Sequence, residues 1–453
     1  MMRLFVKELV QNLAGLKLDR LYRHLSIVVV TLTVIHVLLM LAISPALATA
    51  ESSSDTSPRP RLGGPSTVEN QLESDRGTRE IDLPEIPFLK PYFGWKDNLA
   101  DKFGFRFGID YTPVGVKSSD SLPNTDDDAT GSIFRIFGSW DLLGRGTDTV
   151  GTVVYRFGNR HTYTDNAPSD FALSNLGYAG VVFPNHDDRG WILSNLHWRQ
   201  SWKEGGIILI GGYYDIADFT DVYALGDPFK HFSNLAFLTG AATMPVPSAG
   251  SLGLSVGAWL NNNIYLQGGL TDSNGDPEDP LDGFDTFAND REYFTNLEIG
   301  WTTSPEKAYL DNIHLTLWHV DERDEAGTED GWGATFSFSL WLQDRYLPFL
   351  KAGYAHDGSS LLEKSVSAGL GYQPRPIGSD MGNILAVGVN WGEPNSTVLG
   401  SGLDDQYAIE AFFRWQLMKE LAVTPNVQFL INPALNPDED NIWVFSLRAR
   451  LAF

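Results

Sequence analysis

Along residues 443–453, large apolar side chains alternate with polar or small ones. Trp443, Phe445, Leu447, Ala449, Leu451 and Phe453 fall on one register, and Val444, Ser446, Arg448, Arg450 and Ala452 on the other. A period of two is that of a β-strand, whose successive side chains point to opposite faces. The stretch from Phe103 repeats it, with Phe103, Phe105, Phe107, Ile109 and Tyr111 set against Gly104, Arg106, Gly108 and Asp110. Similar runs recur near 132–142, 149–158, 191–203, 206–216, 249–260, 263–271, 293–303 and 311–320. They continue near 331–343, 347–356, 363–373, 383–392, 406–416 and 421–431. The pattern predicts about sixteen strands, many near the length of a tilted membrane-crossing strand. A greasy-faced strand with an open edge invites aggregation in water, but it suits the wall of a closed transmembrane barrel. An all-β, antiparallel barrel of about sixteen strands with both termini periplasmic is therefore the expected fold.

The connections are expected to alternate in length, as long extracellular loops and short periplasmic turns require. Long polar segments fall at 114–131, 159–190, 217–248, 272–292 and 393–405. Short turns fall at 143–148, 203–206, 261–262, 304–310, 344–346 and 417–420. The segments at 357–362 and 374–382 depart from the alternation, being short and long for their sides. Trp140, Trp198, Trp202, Trp301, Trp391, Trp415 and Trp443 share the outward register, where aromatic girdles meet the membrane interfaces.

Ahead of the strands the pattern differs. Arg3, Lys7, Lys17, Arg20 and Arg23 precede an apolar run over 25–43, and small residues at Ala46, Ala48 and Ala50 follow. This predicts a secretory signal peptide over 1–50, cleaved after Ala48 or Ala50, with an uncleaved membrane anchor as the alternative. Residues 51–90 are rich in Ser, Pro, Glu and Arg and carry no apolar period, so a disordered linker or N-terminal extension is expected. Residues 91–453 form the expected barrel domain, opening with a short helix at Lys96–Lys102.

Composition narrows the function. The net charge of -24 argues against a nucleic-acid partner. The absence of cysteine excludes disulfides, thiol catalysis and Cys-ligated metals. With aromatics at 12% and 44 glycines, the 453 residues suit one large barrel.

A barrel of about sixteen strands encloses an aqueous channel, so function turns on what passes through it. The inward register carries Arg106, Arg135, Arg156 and Arg199 on the first four strands, and Arg414, Arg448 and Arg450 near the end. Closure between the last and first strands places most of these arginines on one arc. The third long connection follows Tyr213, Tyr214 and Asp215 and holds Asp218, Asp221 and Asp227, interleaved with Phe219, Tyr223, Phe229, Phe232 and Phe237. Folded inward, it would set carboxylates and rings against the arc across a constriction. Such groups hydrogen-bond sugar hydroxyls and cover the apolar faces of a pyranose. Further inward candidates are Asp110, Asp141, Asn195, His197, Asn296, Glu298, His314, Trp318, Lys351, Glu410 and Gln428. The competing reading is that these charges pair between strands and hold the wall.

At these residues the chain resembles the carbohydrate-selective porins of the OprB type. The resemblance is carried by PYFGWKDNLADKFGFRFGIDYTP (91–113), GGYYDIADFTDVYALGDPFKHFSNLAF (211–237), GGLTDSNGDP (268–277), LTLWHVDE (315–322), LAVTPNVQFLINPALNP (421–437) and the final RARLAF (448–453). It implies a sixteen-stranded barrel in the bacterial outer membrane that passes sugars by facilitated diffusion through a channel narrowed by loops. Outer-membrane lipid and transported sugars are the implied partners, with no cofactor. The terminal strand ending at Phe453 is similar to the signal read by outer-membrane assembly machinery. The long leader, the 51–90 extension and divergent loops depart from the family pattern and leave the particular sugar open. No oligomer interface is readable.

No G-x-S-x-G or H-E-x-x-H motif occurs, and acidic pairs such as Asp321/Glu322 sit in expected loops, so an enzyme is not expected. Asp272, Asn274 and Asp276 could offer oxygens to calcium, but their order departs from the EF-hand loop and favours a polar turn. A general or ion-selective porin for small anions or organic acids is the alternative function. A soluble β-sandwich would need no detergent.

Overall fold

A computed structural model describes residues 62–247, 249–375 and 381–453. The expected signal peptide and residues 51–61 lie outside the described residues. The first eight strands are β1 (Phe105–Ser118), β2 (Asp128–Leu143), β3 (Val150–Thr162), β4 (Gly190–Trp202), β5 (Ile207–Tyr214), β6 (Ser251–Trp259), β7 (Ile264–Asp272) and β8 (Tyr293–Thr302). The second eight are β9 (Asn312–Val320), β10 (Gly331–Ser339), β11 (Tyr346–Asp357), β12 (Leu362–Tyr372), β13 (Ile384–Pro394), β14 (Gln406–Gln416), β15 (Leu421–Ile431) and β16 (Asn441–Ala452). Each strand pairs with its chain neighbours, and β1 pairs with β16 to close the barrel. The seam is antiparallel, with Asp110 opposite Ala452 and Val114 opposite Arg448. The Phe453 amide extends it by donating to the Ile109 carbonyl at 2.8 Å.

The barrel is inside-out relative to a protein folded in water. On β14, Gln406, Glu410 and Arg414 are buried while Tyr407, Ile409 and Trp415 are exposed. On β13, Leu385, Val387 and Val389 are exposed and Asn390 is buried. Left in water, each such apolar side chain forgoes roughly 1.5–3 kcal/mol of burial. Lipid removes that penalty, and barrel closure pairs the backbone. No described helix is long and apolar enough to cross a membrane; strands make the crossing.

The connections alternate as expected, and the short one at 358–361 and the long one at 373–383 are the departures that the sequence pointed to. One expected loop is too long: β1 runs through Pro113 to Ser118 and β2 starts at Asp128, so the first connection is 119–127 rather than 114–131. Pro113 faces Ser132 in the β2 ladder, while the β16 ladder skips 112–113, so the missing N–H interrupts little.

Two long connections fold into the barrel. In 163–189, Phe171, Leu176, Tyr178 and Phe183 pack on inward-facing Val114, Leu430, Ile442 and Val444. In 215–250, Tyr223, Leu225, Phe232 and Phe237 pack on Leu347, Phe349, Ile384 and Phe412. Backbone bonds join the two: Phe183 N–H to the Ser233 carbonyl at 2.8 Å, and Leu235 N–H to the Val181 carbonyl at 2.9 Å.

The expected disorder of 51–90 does not hold from residue 62 onward, where the segment is an ordered N-terminal extension. Helix α1 (Val68–Glu80) starts at Thr67, whose side chain accepts from the Asn70 amide. Its buried residues are mostly polar: Glu69, Asn70, Gln71, Ser74 and Thr78 alongside Val68. A helix buried against a polar barrel interior needs no apolar stripe, so no apolar period marks it. Helix α2 (Lys90–Phe103) is longer than the expected Lys96–Lys102 and ends at Gly104, whose φ of 68° suits glycine.

Candidate functional site

The arginine arc exists, because β16, β1, β2, β3 and β4 are successive neighbours in the closed wall. Asp110 of β1 sits at its centre, fully buried. It accepts from Arg135 Nε at 2.9 Å and from Arg450 Nε at 2.8 Å. Arg135 also stacks on the Phe229 ring, 3.5 Å from its centroid. Arg156 donates to the Asp218 carboxylate at 3.0 Å and also to the Ser66 carbonyl. Arg448 donates to the carbonyls of Pro228 and His231 at 2.5 and 2.6 Å, holding the 215–250 connection. Arg106 pairs with Asp141, which also accepts from Thr152 at 2.8 Å. Arg414 bonds Gln416 at 2.8 Å and the Gly382 carbonyl at 3.2 Å.

Other parts of the wall clip the inserted connection by its backbone. Glu410 accepts from Ser233 N–H at 2.7 Å, from the Ser233 hydroxyl at 2.9 Å and from Asn234 N–H at 3.0 Å. Glu298 accepts from Asp221 N–H at 2.7 Å, Thr316 at 2.7 Å and Tyr265 at 2.9 Å. Asp221 takes Lys351 at 2.9 Å and His314 at 2.8 Å, and accepts from Gly240 N–H at 2.6 Å. Burial opposes its charge, but Lys351 and His314 hold the Asp221 carboxyl down to about 2.

Two of the cavities among the described residues set arginines against carboxylates. One, of about 220 Å³, opens among the inserted connections. Its charged lining is Arg135, Arg156, Arg160 and Arg189 against Asp187, Asp215 and Asp218, with Phe229 beside them. The other, of about 410 Å³, lies near the start of β1 and the β2–β3 turn. It is lined by Arg76, Arg106, Arg145 and Arg199 against Glu69, Glu73, Asp101 and Asp141. Burial pushes the Asp218 carboxyl up to about 7; Arg156 opposes this and neighbouring Asp215 adds to it.

Of the expected residues, Arg135, Arg156, Asp215 and Asp218 line the first cavity, and Arg106, Asp141 and Arg199 the second. Asp110, Asp221, Glu298, Glu410, Arg414, Arg448 and Arg450 engage the wall, the inserted connection or α1. Phe219 packs on Tyr214 and His197, and Trp318 is buried with Phe294 and Val320. Sequence reasoning missed Arg160, Asp187 and Arg189, which form a cluster with Arg160–Asp187 at 2.6 Å. Arg160 shares the inward register of Arg156 four positions on and was legible from it; Asp187 was not. The calcium candidates form turns: Asp272 accepts from Asn274 N–H at 3.0 Å, Asp276 from Glu278 N–H at 2.8 Å, and Asn274 donates to Glu292. Among the described residues, no group of three or more acidic or His side chains converges on a metal site.

A closed barrel with a charged interior narrowed by inserted loops is the architecture of a porin. The family model described as "Carbohydrate-selective porin, OprB family" matches residues 161–453. The chain belongs to the OprB family. Porin AaxA of Chlamydia abortus is 22% identical over 316 residues, covering 69% of this chain and 68% of that protein. The high-pH structure of Pseudomonas putida OprB shares the fold, with a TM-score of 0.62 at 15% identity. That match covers 80% of this chain and 97% of the other. This OprB-family member is a channel of the bacterial outer membrane rather than an enzyme.

Proposed function

We propose that the chain carries sugars across the outer membrane by facilitated diffusion through the two cavities and the constriction between them. On this reading the long loops face outward, and the short turns and both termini face the periplasm. The observation that carries it is the balance of charge. Each cavity sets arginines against a nearly equal number of carboxylates. A strong ion filter needs one sign in excess; an alternating lining suits a neutral solute with many hydroxyls. Guanidinium groups donate and carboxylates accept, so both edges of a sugar find partners, while Phe229 offers a face. Passage requires weak binding, on the order of millimolar, so that the solute leaves as readily as it enters.

Liposomes holding the purified protein test this by swelling in isotonic solutes. Sugars should enter faster than anions and cations of similar size, and Arg160→Ala should slow sugar entry. Faster entry of organic acids than of sugars would replace this reading with the anion porin.

A further inference from the structure

The two cavities share no lining residue, and the N-terminal segment stands between them. Ser66 lies on one, and Glu69, Leu72, Glu73 and Arg76 lie on the other. The segment is held by the pore's own charged groups. Arg156 takes the Ser66 carbonyl, Arg199 takes Glu69 at 3.0 Å, and Lys230 donates to Ser74 at 3.1 Å. Arg450 grips Asp75 with two bonds of 2.6 and 2.9 Å. The Gln71 amide, turned to present its oxygen, lies 3.2 Å from both terminal nitrogens of Arg135. The Gly64 amide donates to the Asp218 carbonyl at 2.7 Å.

We infer that residues 62–80 are a displaceable plug that closes the channel by occupying the arginine positions a polar solute would use. This rests on the lumen being the sugar path. The chemistry favours displacement over permanent filling. Apolar anchoring of the segment comes from Leu62, clustered with Ile208, Ile210 and Phe219, and from Val68 and Leu72 against Phe137 and Val154. The other contacts named above are ion pairs and hydrogen bonds, and buried ion pairs add little beyond their desolvation cost. Water, salt and solute hydroxyls in the lumen can replace each of them. Beyond α1 the chain is tied to the short-turn rim, where the Lys419 amide donates to the Pro84 carbonyl at 2.9 Å and Lys419 pairs with Glu85 at 3.2 Å. That tether keeps a released segment beside its pore.

The test is single-channel conductance in planar bilayers, with sugar added afterwards. The double variant Glu69→Gln/Asp75→Asn, which keeps side-chain shape, should raise the open fraction by on the order of tenfold or more. Deleting residues 63–80 should leave the channel open throughout. A lock covers the case in which the deletion does not fold. A Cβ placed on Gly64 stands 2.8 Å from that of Val222, close to disulfide reach after a small outward shift. The natural chain has no cysteine to compete. Oxidised Gly64→Cys/Val222→Cys should hold the channel closed, and reductant should restore wild-type opening. Equal conductance in wild type and the charge variant, together with a locked form that conducts like the reduced one, overturns the plug. Raised conductance without sugar block supports the plug and overturns the sugar reading. Sugar block with unchanged conductance does the reverse.

Discussion

Removing the Glu410 carboxylate isolates the force that holds the 215–250 connection inside the barrel. In Glu410→Ala, the amides of Ser233 and Asn234 lose acceptors at 2.7 and 3.0 Å, and the Ser233 hydroxyl loses one at 2.9 Å. Asn426, which donates to the same carboxylate at 2.5 Å, loses its acceptor too. A hydrogen bond to a charged group contributes about 1.5–3 kcal/mol, and an orphaned buried amide costs about 1–3 kcal/mol. Lumen water restores part of this, leaving a local cost of about 2–4 kcal/mol. The barrel ladder is untouched, so the cost appears as loop opening rather than global unfolding. Opening then becomes roughly 30- to 1,000-fold more frequent. Hydrogen exchange of the amides around Ser233, read by mass spectrometry in detergent, measures this ratio directly. Exchange at 233–234 should accelerate while strand amides of β14 and β15 keep their protection. Unchanged exchange in a folded Glu410→Ala variant would refute the clip, leaving the aromatic packing of Phe232 and Phe237 as the anchor.

Three further outcomes are expected. Asp110→Asn leaves Arg135 and Arg450 buried around a neutral partner, at a cost of about 3–5 kcal/mol; the folded band on unheated gels should be lost at a lower temperature, and an unchanged transition would show that Asp75 alone suffices. The Asp218 carboxyl, raised from 3.8 to about 7, binds its proton more tightly when folded, so its share of stability falls as pH rises through that window. Below about pH 7 the first cavity loses one negative charge, so reversal potentials should shift toward anions on acidification, and Asp218→Asn should remove the shift. Phe453→Ala should slow insertion by the outer-membrane assembly machinery while leaving unassisted folding in detergent near wild type; equal insertion rates would rule out a part for the Phe453 ring in that step.

The strands were legible because their signal is local. A pleated strand forces side chains to alternate, and a wall between lipid and water forces their polarity to alternate with them. Hence β14 shows Glu410 and Arg414 against Ile409 and Trp415 in its sequence as plainly as in the barrel. The arc was legible for the same reason: register assigns Arg106, Arg135, Arg156 and Arg450 to the lumen, and closure sets their strands side by side. The sequence raised an inward fold of the 215–250 connection only as a condition, and gave no sign that 163–189 also turns inward.

What the residues meet in the lumen was decided by tertiary structure. Arg450 holds Asp75 across 375 positions, and Arg448 holds the Pro228 carbonyl across 220. No periodicity encodes such a pairing, since any inward arginine could take any carboxylate brought to it. Helix α1 carried no apolar stripe because its surroundings are charged. By sequence pattern a polar helix in a charged lumen and a solvated linker look alike, and only the closed wall separates them. The same closure turned arginines expected to face a solute into the grip on the N-terminal segment. Composition and alternation determined a barrel that passes polar cargo, whereas the packing of distant segments decided which of its charges remain open to that cargo.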